Sequence, residues 1–248
     1  MSAPVFAAST AAIRGAAASG QLLLDGDEGR HAALVRRLGP GEQVVVTDGA
    51  GLTLDGVVAT ATKASLTLDV VAVSEQPAPQ PRLTVVQALP KGDRGELAVE
   101  TLTEVGVDVV VPWAAERCVT RWRDERGAKA LDRWRSTARE AAKQSRRAHW
   151  PTVAPLAGTD GVADLLAAAS LAVVLHEEAA EPLAAATVPA AGDVVVVVGP
   201  EGGLSPAELE RFAAAGGTAY RLGPTVLRTS TAGTVAAAVL LAATARWR

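Results

Sequence analysis

The sequence predicts two domains of different class: a small, mostly β domain, and after it a larger α/β domain built on a parallel sheet. Three observations carry the prediction. Short β-favouring runs separated by Gly and Pro turns occupy residues 1–74; residues 75–81, Glu-Gln-Pro-Ala-Pro-Gln-Pro, read as a stiff extended linker; and residues 82–248 alternate unbroken Val/Leu runs with helical segments.

In the first domain the runs at 43–47, 52–59 and 65–73 are divided by Gly39-Pro40-Gly41 and by Asp48-Gly49-Ala50-Gly51, the turn chemistry of a small barrel. One helix is expected over 28–38, with Leu34, Val35 and Leu38 sharing a face and Arg30, Arg36 and Arg37 projecting elsewhere. In the second domain strands are expected at 83–89, 107–112, 171–175, 194–198 and 219–222. Their continuous apolar character implies burial on both faces, and therefore a parallel sheet covered by helices. The helices are expected at 95–105, 129–147, 162–169, 206–215 and 231–247. The fourth is fully signed: Ser205 as N-cap, Pro206 at the first helical position, Glu208 completing a capping box, and Gly216-Gly217 ending it.

Composition narrows the function. With 49% hydrophobic and 21% charged residues the chain is globular, and no apolar run approaches the ~20 residues that cross a bilayer. The N-terminus lacks a secretory pattern and the single Cys118 cannot form an internal disulfide, so a reducing cytoplasm is expected. His31, His149 and His176 show no metal-ligand spacing, and no metal is expected. The net charge of -3 hides a basic stretch: residues 117–147 hold eleven basic against four acidic residues, a local +7 that leaves -10 on the rest. Such a stretch is either a solvated helical face or a surface for a polyanion.

Ligands of open α/β sheets bind beyond the carboxyl ends of the strands. Here the strands run into Pro90-Lys91-Gly92-Asp93-Arg94, His176-Glu177-Glu178, Gly199-Pro200-Glu201-Gly202-Gly203 and the stretch from Gly223 to Ser230. Three glycines with a proline and a glutamate after a buried strand suit a loop that presents main-chain groups to a flat ligand. The phosphate-binding pattern G-x-x-x-x-G-K-[ST] and the dinucleotide pattern G-x-G-x-x-G after the first strand are both missing, and the loop lacks a nucleophile serine. Nucleotide triphosphatases, Rossmann dehydrogenases and α/β-hydrolases are thereby disfavoured.

Four blocks, in order and spacing, resemble one family. They are Arg30-His31 with residues 34–38, the stretch from Leu131-Asp132-Arg133-Trp134-Arg135 to Arg146, the loop 199–205, and the later stretch 222–233, Leu-Gly-Pro-Thr-Val-Leu-Arg-Thr-Ser-Thr-Ala-Gly. Over nearly the whole chain the sequence is similar to the bacterial 16S ribosomal RNA uracil-N3 methyltransferases of the SPOUT superfamily (RsmE type). The resemblance implies a PUA-like N-terminal β-barrel, a trefoil-knotted C-terminal methyltransferase domain, a homodimer, S-adenosylmethionine as cofactor, and 16S rRNA in the 30S subunit as partner. Two positions depart from the family pattern: Thr101 stands where a lysine is common, and Ser230 where a glutamate follows the Arg-Thr pair.

Carried over by position, the cofactor pocket comprises Leu175, His176 and Glu177; Gly199, Pro200, Glu201, Gly202 and Gly203; Leu222 and Gly223; and Val226, Leu227, Arg228, Thr229, Ser230, Thr231 and Ala232. Arg228 is the candidate to stabilise charge on a uracil carbonyl oxygen, or else it forms a salt bridge within its loop. Glu201 serves as base, or holds its own loop or a ribose; a phosphate oxygen and water are the other candidate bases. RNA contacts are expected from Lys91 and Arg94, from Arg139, Lys143, Gln144, Arg146 and Arg147, and from Arg30, His31, Arg36 and Arg37. Trp134 is read as core. Two rival readings stand beside this one: a SPOUT enzyme with a transfer RNA base or a ribose 2'-hydroxyl as target, and a non-catalytic RNA-binding assembly factor.

Overall fold

A computed structural model of the chain describes residues 3–247; Met1, Ser2 and Arg248, at the outer bounds of the two expected domains, lie outside the described residues. In chain order the elements are β1 (Val5–Ala7), α1 (Thr10–Ser19), β2 (Gln21–Leu24), α2 (Gly26–Arg30), β3 (Gln43–Thr47), β4 (Leu52–Ala61), β5 (Leu66–Glu75), β6 (Arg82–Ala88), α3 (Arg94–Val105), β7 (Val109–Trp113), α4 (Asp124–Gln144), β8 (Thr152–Val153), α5 (Thr159–Ala168), β9 (Leu171–Leu175), β10 (Asp193–Val198), α6 (Pro206–Ala214), β11 (Thr218–Tyr220) and α7 (Thr229–Ala242). The chain divides into two compact units, one holding the residues up to Ala78 together with Ala142–Trp150, the other Pro79–Ala141 together with the residues from Pro151 onward. The return of 142–150 to the first unit has no counterpart in the sequence reading, which places one boundary at 75–81.

The first unit is a five-stranded sheet in the order β1-β3-β4-β5-β2, antiparallel except where β1 lies parallel to β3. Register shifts at Asp55/Gly56 and Val58/Thr60 bend the long β4–β5 pair, as a barrel wall requires. Alternate residues Leu52, Leu54 and Val58 point into a core shared with Phe6, Ile13 of α1, Leu66 and Leu68. The helix expected over 28–38 is α2 running into a π-helical turn, His31–Val35, closed by Arg36 N–H to His31 O at 3.0 Å. That wider turn breaks the 3.6-residue wheel, so Ala32 is buried while Leu34 and Val35 are exposed, and only Leu38 of the expected trio faces the core.

Lys143, at the end of α4, is 6% exposed and its ammonium lies 3.0 Å from Glu28 Oε1, while Glu28 Oε2 accepts the Ala7 N–H at 3.2 Å.

The second unit is a six-stranded, wholly parallel sheet in the order β11-β9-β10-β6-β7-β8. Val194–Val198 of β10 are all buried, each side chain contributing roughly 1.5–3 kcal/mol over exposure. Trp113, fully buried, meets the Phe212 ring edge to face at 5.3 Å. α7 lies flush on the sheet because Gly233 has no side chain; a Cβ there would sit 3.2–3.3 Å from Leu102, Val198 and Val85. α7 ends at Ala242, and a separate 3-10 turn, Ala245–Trp247, carries Arg246 onto Asp108 in a bidentate pair at 2.6 and 3.0 Å.

Replacing Lys143 by Met takes the buried ammonium from the Glu28 carboxylate, and the expected cost is about 3–5 kcal/mol. Urea unfolding measures it; a loss below ~1 kcal/mol would show that the pair does not anchor the end of α4.

Candidate functional site

Six parallel strands put their carboxyl ends on one edge. From β6 the chain crosses to β7 on one side, and from β10 it crosses to β11 beyond β9 on the other, so the adjacent strands β6 and β10 flank a crevice that neither crossover covers. A cavity of about 820 Å³ opens there, within the roughly 300–1,000 Å³ of small-molecule sites. Four strand exits wall it: Lys91, Gly92 and Arg94 after β6; Leu175, His176 and Glu177 from the end of β9; Gly199, Pro200, Glu201 and Gly203 after β10; and the stretch from Leu222 through Thr229 after β11, with Ala232 of α7.

Each wall has a local cause. The β10 exit turns on Gly203 at φ 70°, its N–H donating to Pro200 O at 2.9 Å. The turn then delivers Ser205 as N-cap of α6, where Ser205 Oγ accepts the Glu208 N–H and Glu208 Oε2 accepts the Ser205 N–H. Glu208 Oε1 also accepts the Glu116 N–H at 2.8 Å, which fixes α6 to the segment after β7. Across the crevice, Glu201 Oε1 accepts the Lys91 N–H at 3.2 Å and ties the β10 turn to the β6 turn. His176 donates its main-chain N–H to Tyr220 O and accepts the Glu178 N–H on Nδ1 at 3.3 Å, which leaves the ring proton of a neutral imidazole on Nε2.

Among the described residues no protein acceptor meets the main-chain N–H groups of Leu222, Gly223, Thr225, Val226 and Leu227. Leu222, Gly223 and Leu227 are half-buried, where main-chain donors are nearly always paired, so their N–H groups are available to a ligand's acceptors; Thr225 and Val226 are exposed. Leu222 and Leu227 are half-buried and pack on the core, supplying an apolar wall. Arg228 is the N-cap residue of α7: its carbonyl accepts from Thr231 and Ala232 N–H at 2.9 Å, and its exposed guanidinium has no protein partner among the described residues. Behind it, the fully buried Gln87 donates Nε2 to Ala88 O and Thr229 O, pinning the first turn of α7 to the end of β6.

Three of the expected cofactor residues stand off the cavity. Gly202 faces Arg117, whose guanidinium donates to Gly202 O and Leu204 O; Ser230 is buried under the first turn of α7, its Oγ without a partner; and the Thr231 hydroxyl donates to Arg228 O. The sequence reading missed Gly92, Val198, Leu204, Pro224 and Thr225 as lining residues. Gly92, Pro224 and Thr225 lie within the strand exits it singled out, whereas Val198 and Leu204 form a floor visible only once the sheet order is known. Thr101 bonds the Thr234 hydroxyl at 2.7 Å, joining α3 to α7, and does not line the cavity.

The expected RNA-contacting residues divide by unit. In the second unit Lys91 and Arg94 line the cavity, and Arg139 is exposed on α4. In the first unit Arg36, Arg37, Gln144 and Arg146 are exposed, Arg147 is half-buried, Arg30 is paired with Asp27, and His31 stands edge to face on Phe6 at 5.9 Å. Lys143 is the exception, because the pair with Glu28 buries its charge away from any strand of RNA. Among the described residues no group of three His, Cys, Asp or Glu side chains is placed to hold a metal, and no helix is long and apolar enough to cross a membrane.

Comparison with known proteins gives a consistent result. A family model described as an RNA methyltransferase domain matches residues 76–241, and one described as an RNA methyltransferase PUA domain matches residues 24–71. The chain is 47% identical over 229 residues to Ribosomal RNA small subunit methyltransferase E of Mycobacterium tuberculosis, covering 91% of this chain and 87% of that one. It is 29% identical over 217 residues to the protein of that name from Bacillus subtilis, covering 84% and 85%. The crystal structure of a Ribosomal RNA small subunit methyltransferase E from Neisseria gonorrhoeae bound to S-adenosyl methionine superposes with a TM-score of 0.82 at 26% identity, over 97% of this chain and 98% of that one.

Two outcomes test the local geometry. Glu201→Ala removes the acceptor of the Lys91 N–H, so hydrogen exchange at the Lys91 amide should quicken, and an unaltered rate would show that the bond does not hold the turns together. Ser230→Ala removes a buried hydroxyl that has no partner, so stability in urea should stay within about 1 kcal/mol of wild type or rise, since no hydrogen bond is lost.

Proposed function

The chain belongs to the RNA methyltransferase family, and from that premise we propose that it methylates N3 of a uridine in 16S ribosomal RNA of the small subunit, with S-adenosylmethionine as methyl donor. The observation that carries the reading is the 820 Å³ cavity at the crevice between β6 and β10, walled by four strand exits, one of which, 222–227, has main-chain N–H groups that meet no protein acceptor among the described residues. A nucleoside-bearing cofactor offers acceptors on its adenine ring, ribose and carboxylate, and the same loop supplies Leu222 and Leu227 as apolar surface for the ring. The residues present therefore fit the group. When bound, S-adenosylmethionine supplies an electrophilic methyl on a sulfonium.

The chain's own residues supply position and charge. In-line displacement gains most from alignment of the reactants, and the turns after β6, β9, β10 and β11 confine them from four sides. Loss of the N3 proton of uracil spreads negative charge over O2 and O4. Arg228, permanently charged, unpaired among the described residues and standing at the cavity wall, is positioned to stabilise that charge with a planar pair of donors. The salt bridge within the loop, the alternative use for this side chain, has no carboxylate partner among the described residues. Glu201 acts as a positioning residue through Lys91. Phosphates of the RNA meet Lys91, Arg94 and Arg139 in the second unit and Arg36, Arg37 and Arg146 in the first, contacts that position without reading sequence.

Calorimetry with S-adenosylmethionine should give a 1:1 isotherm, and undermethylated small subunits should acquire one N3-methyluridine, mapped by mass spectrometry of nuclease digests. Arg228→Ala should lower kcat by about 10²–10³-fold while leaving the cofactor Kd within about threefold. Methyl found on a ribose hydroxyl or in transfer RNA would redirect the target, and near-normal turnover of the variant would remove Arg228 from the chemistry.

A further inference from the structure

Beside the main cavity, within the same unit, lies a second cleft of about 220 Å³. It is below the roughly 300–1,000 Å³ of sites that hold a whole ligand, so it suits a fragment of something larger. Gly92 lines both spaces, so the turn after β6 is the partition between them. Thr120 Oγ1 donates to Pro90 O at 2.7 Å and fixes that partition to the far wall of the cleft.

One wall is aromatic and held rigid. Trp134 is 2% exposed and packs against Gly95, where a Cβ would come within 2.7 Å of Trp134 Nε1. Trp122 stands edge to face on Trp134, with ring centroids 4.9 Å apart and planes at 80°, and it remains half-exposed. The rim is cationic. Arg121 is immobilised by Ala115 O and Glu116 O at 2.8 and 2.7 Å, Arg133 is bonded to Glu96 at 3.2 Å, and the exposed Arg126 has no protein partner among the described residues. Three guanidinium groups against the single Glu96 carboxylate leave a local charge of +2.

A flat indole beside guanidinium groups is the chemistry of a single-stranded nucleotide, with the base laid against the ring and its phosphate against the cations. An apolar ligand would waste the arginines, and a simple anion would waste the ring. We propose that the cleft between Trp122 and Arg126 is the subsite for a nucleotide adjacent to the methylated one, so that a strand delivering its target base to the main cavity rests its neighbour on Trp122 across the Gly92 turn. This inference rests on the reading of the chain as an RNA methyltransferase. It gives a use to Arg121, Trp122 and Arg126, which that reading leaves idle.

The test measures methyl transfer to undermethylated small subunits by the full-length protein, with S-adenosylmethionine binding recorded separately. Arg126→Ala should raise KM for the subunits about tenfold with kcat within about twofold, leave the cofactor Kd unchanged, and reduce the slope of log KM against log salt by about 0.7, the value for one phosphate contact on a single strand. Arg126→Lys should recover most of the lost KM, because a point charge still meets a phosphate. Trp122→Phe should stay near wild type, whereas Trp122→Ala should raise KM with no change in salt slope. If Trp122→Ala does not fold, the arginine series decides, since Arg126 has no protein partner among the described residues. Wild-type KM and salt slope in Arg126→Ala, with the wild type active, would overturn the subsite alone; a wild type that methylates no subunit would overturn the methyltransferase reading and the subsite with it.

Discussion

Two neighbouring parallel strands, β6 and β10, send their chains in opposite directions, and the site exists because of that constraint. A crossover that covered the gap between them would have to run over itself. The turns after the two strands therefore lie open side by side, and Glu201 needs only one hydrogen bond to Lys91 to span them. The same geometry places the start of α7 over the crevice. With Gly233 letting the helix settle on Val85 and Val198, and Gln87 holding Thr229 from below, the helix presents the exposed Arg228 at the cavity wall.

Rigidity and openness are divided between different parts of the unit. The capping box of Ser205 and Glu208, the Glu116 contact and the Arg246–Asp108 pair satisfy buried polar groups close to the sheet. The loop 222–227 does the opposite: among the described residues its main-chain N–H groups meet no protein acceptor. A site that recognises a ligand through main-chain groups has to leave those groups unpaired within a scaffold stiff enough to stop the loop from pairing with itself. The tight packing of β6, β10 and α7 provides that scaffold.

Much of this was legible from residues alone, because periodicity and punctuation are local. The four long strands of the second sheet, β6, β7, β9 and β10, and the start of α6 at Pro206 follow from unbroken apolar runs and from Ser205, Pro206 and Glu208, whereas β11, Thr218–Tyr220, meets the strand expected at 219–222 only in part. What escaped depends on context. The two-residue β8 is too short to carry a pattern, and α1, rich in alanine, lacks an amphipathic signature strong enough to separate it from a loop. The wheel drawn over 28–38 failed because a π turn has its own period. At the site, the glycine turns were visible as composition, but the turning away of Gly202 and Ser230 was not, since it depends on Arg117 and on the underside of α7. Lys143 reads as one more cation in a basic run; only a partner distant in sequence, Glu28, reveals it as a structural charge.

Arg82 at the start of β6 pairs with Asp193 at the start of β10, and the cavity walls run from Lys91 to Ala232. Contacts so remote along the chain make for high contact order and slow closure of the sheet. During synthesis the first strand of this unit must wait, unpaired on that side, until β10 has emerged, and the walls join only once α7 has followed. A nascent chain that has not yet reached α7 thus lacks the wall built by 222–232, and the cavity closes only with the docking of that helix.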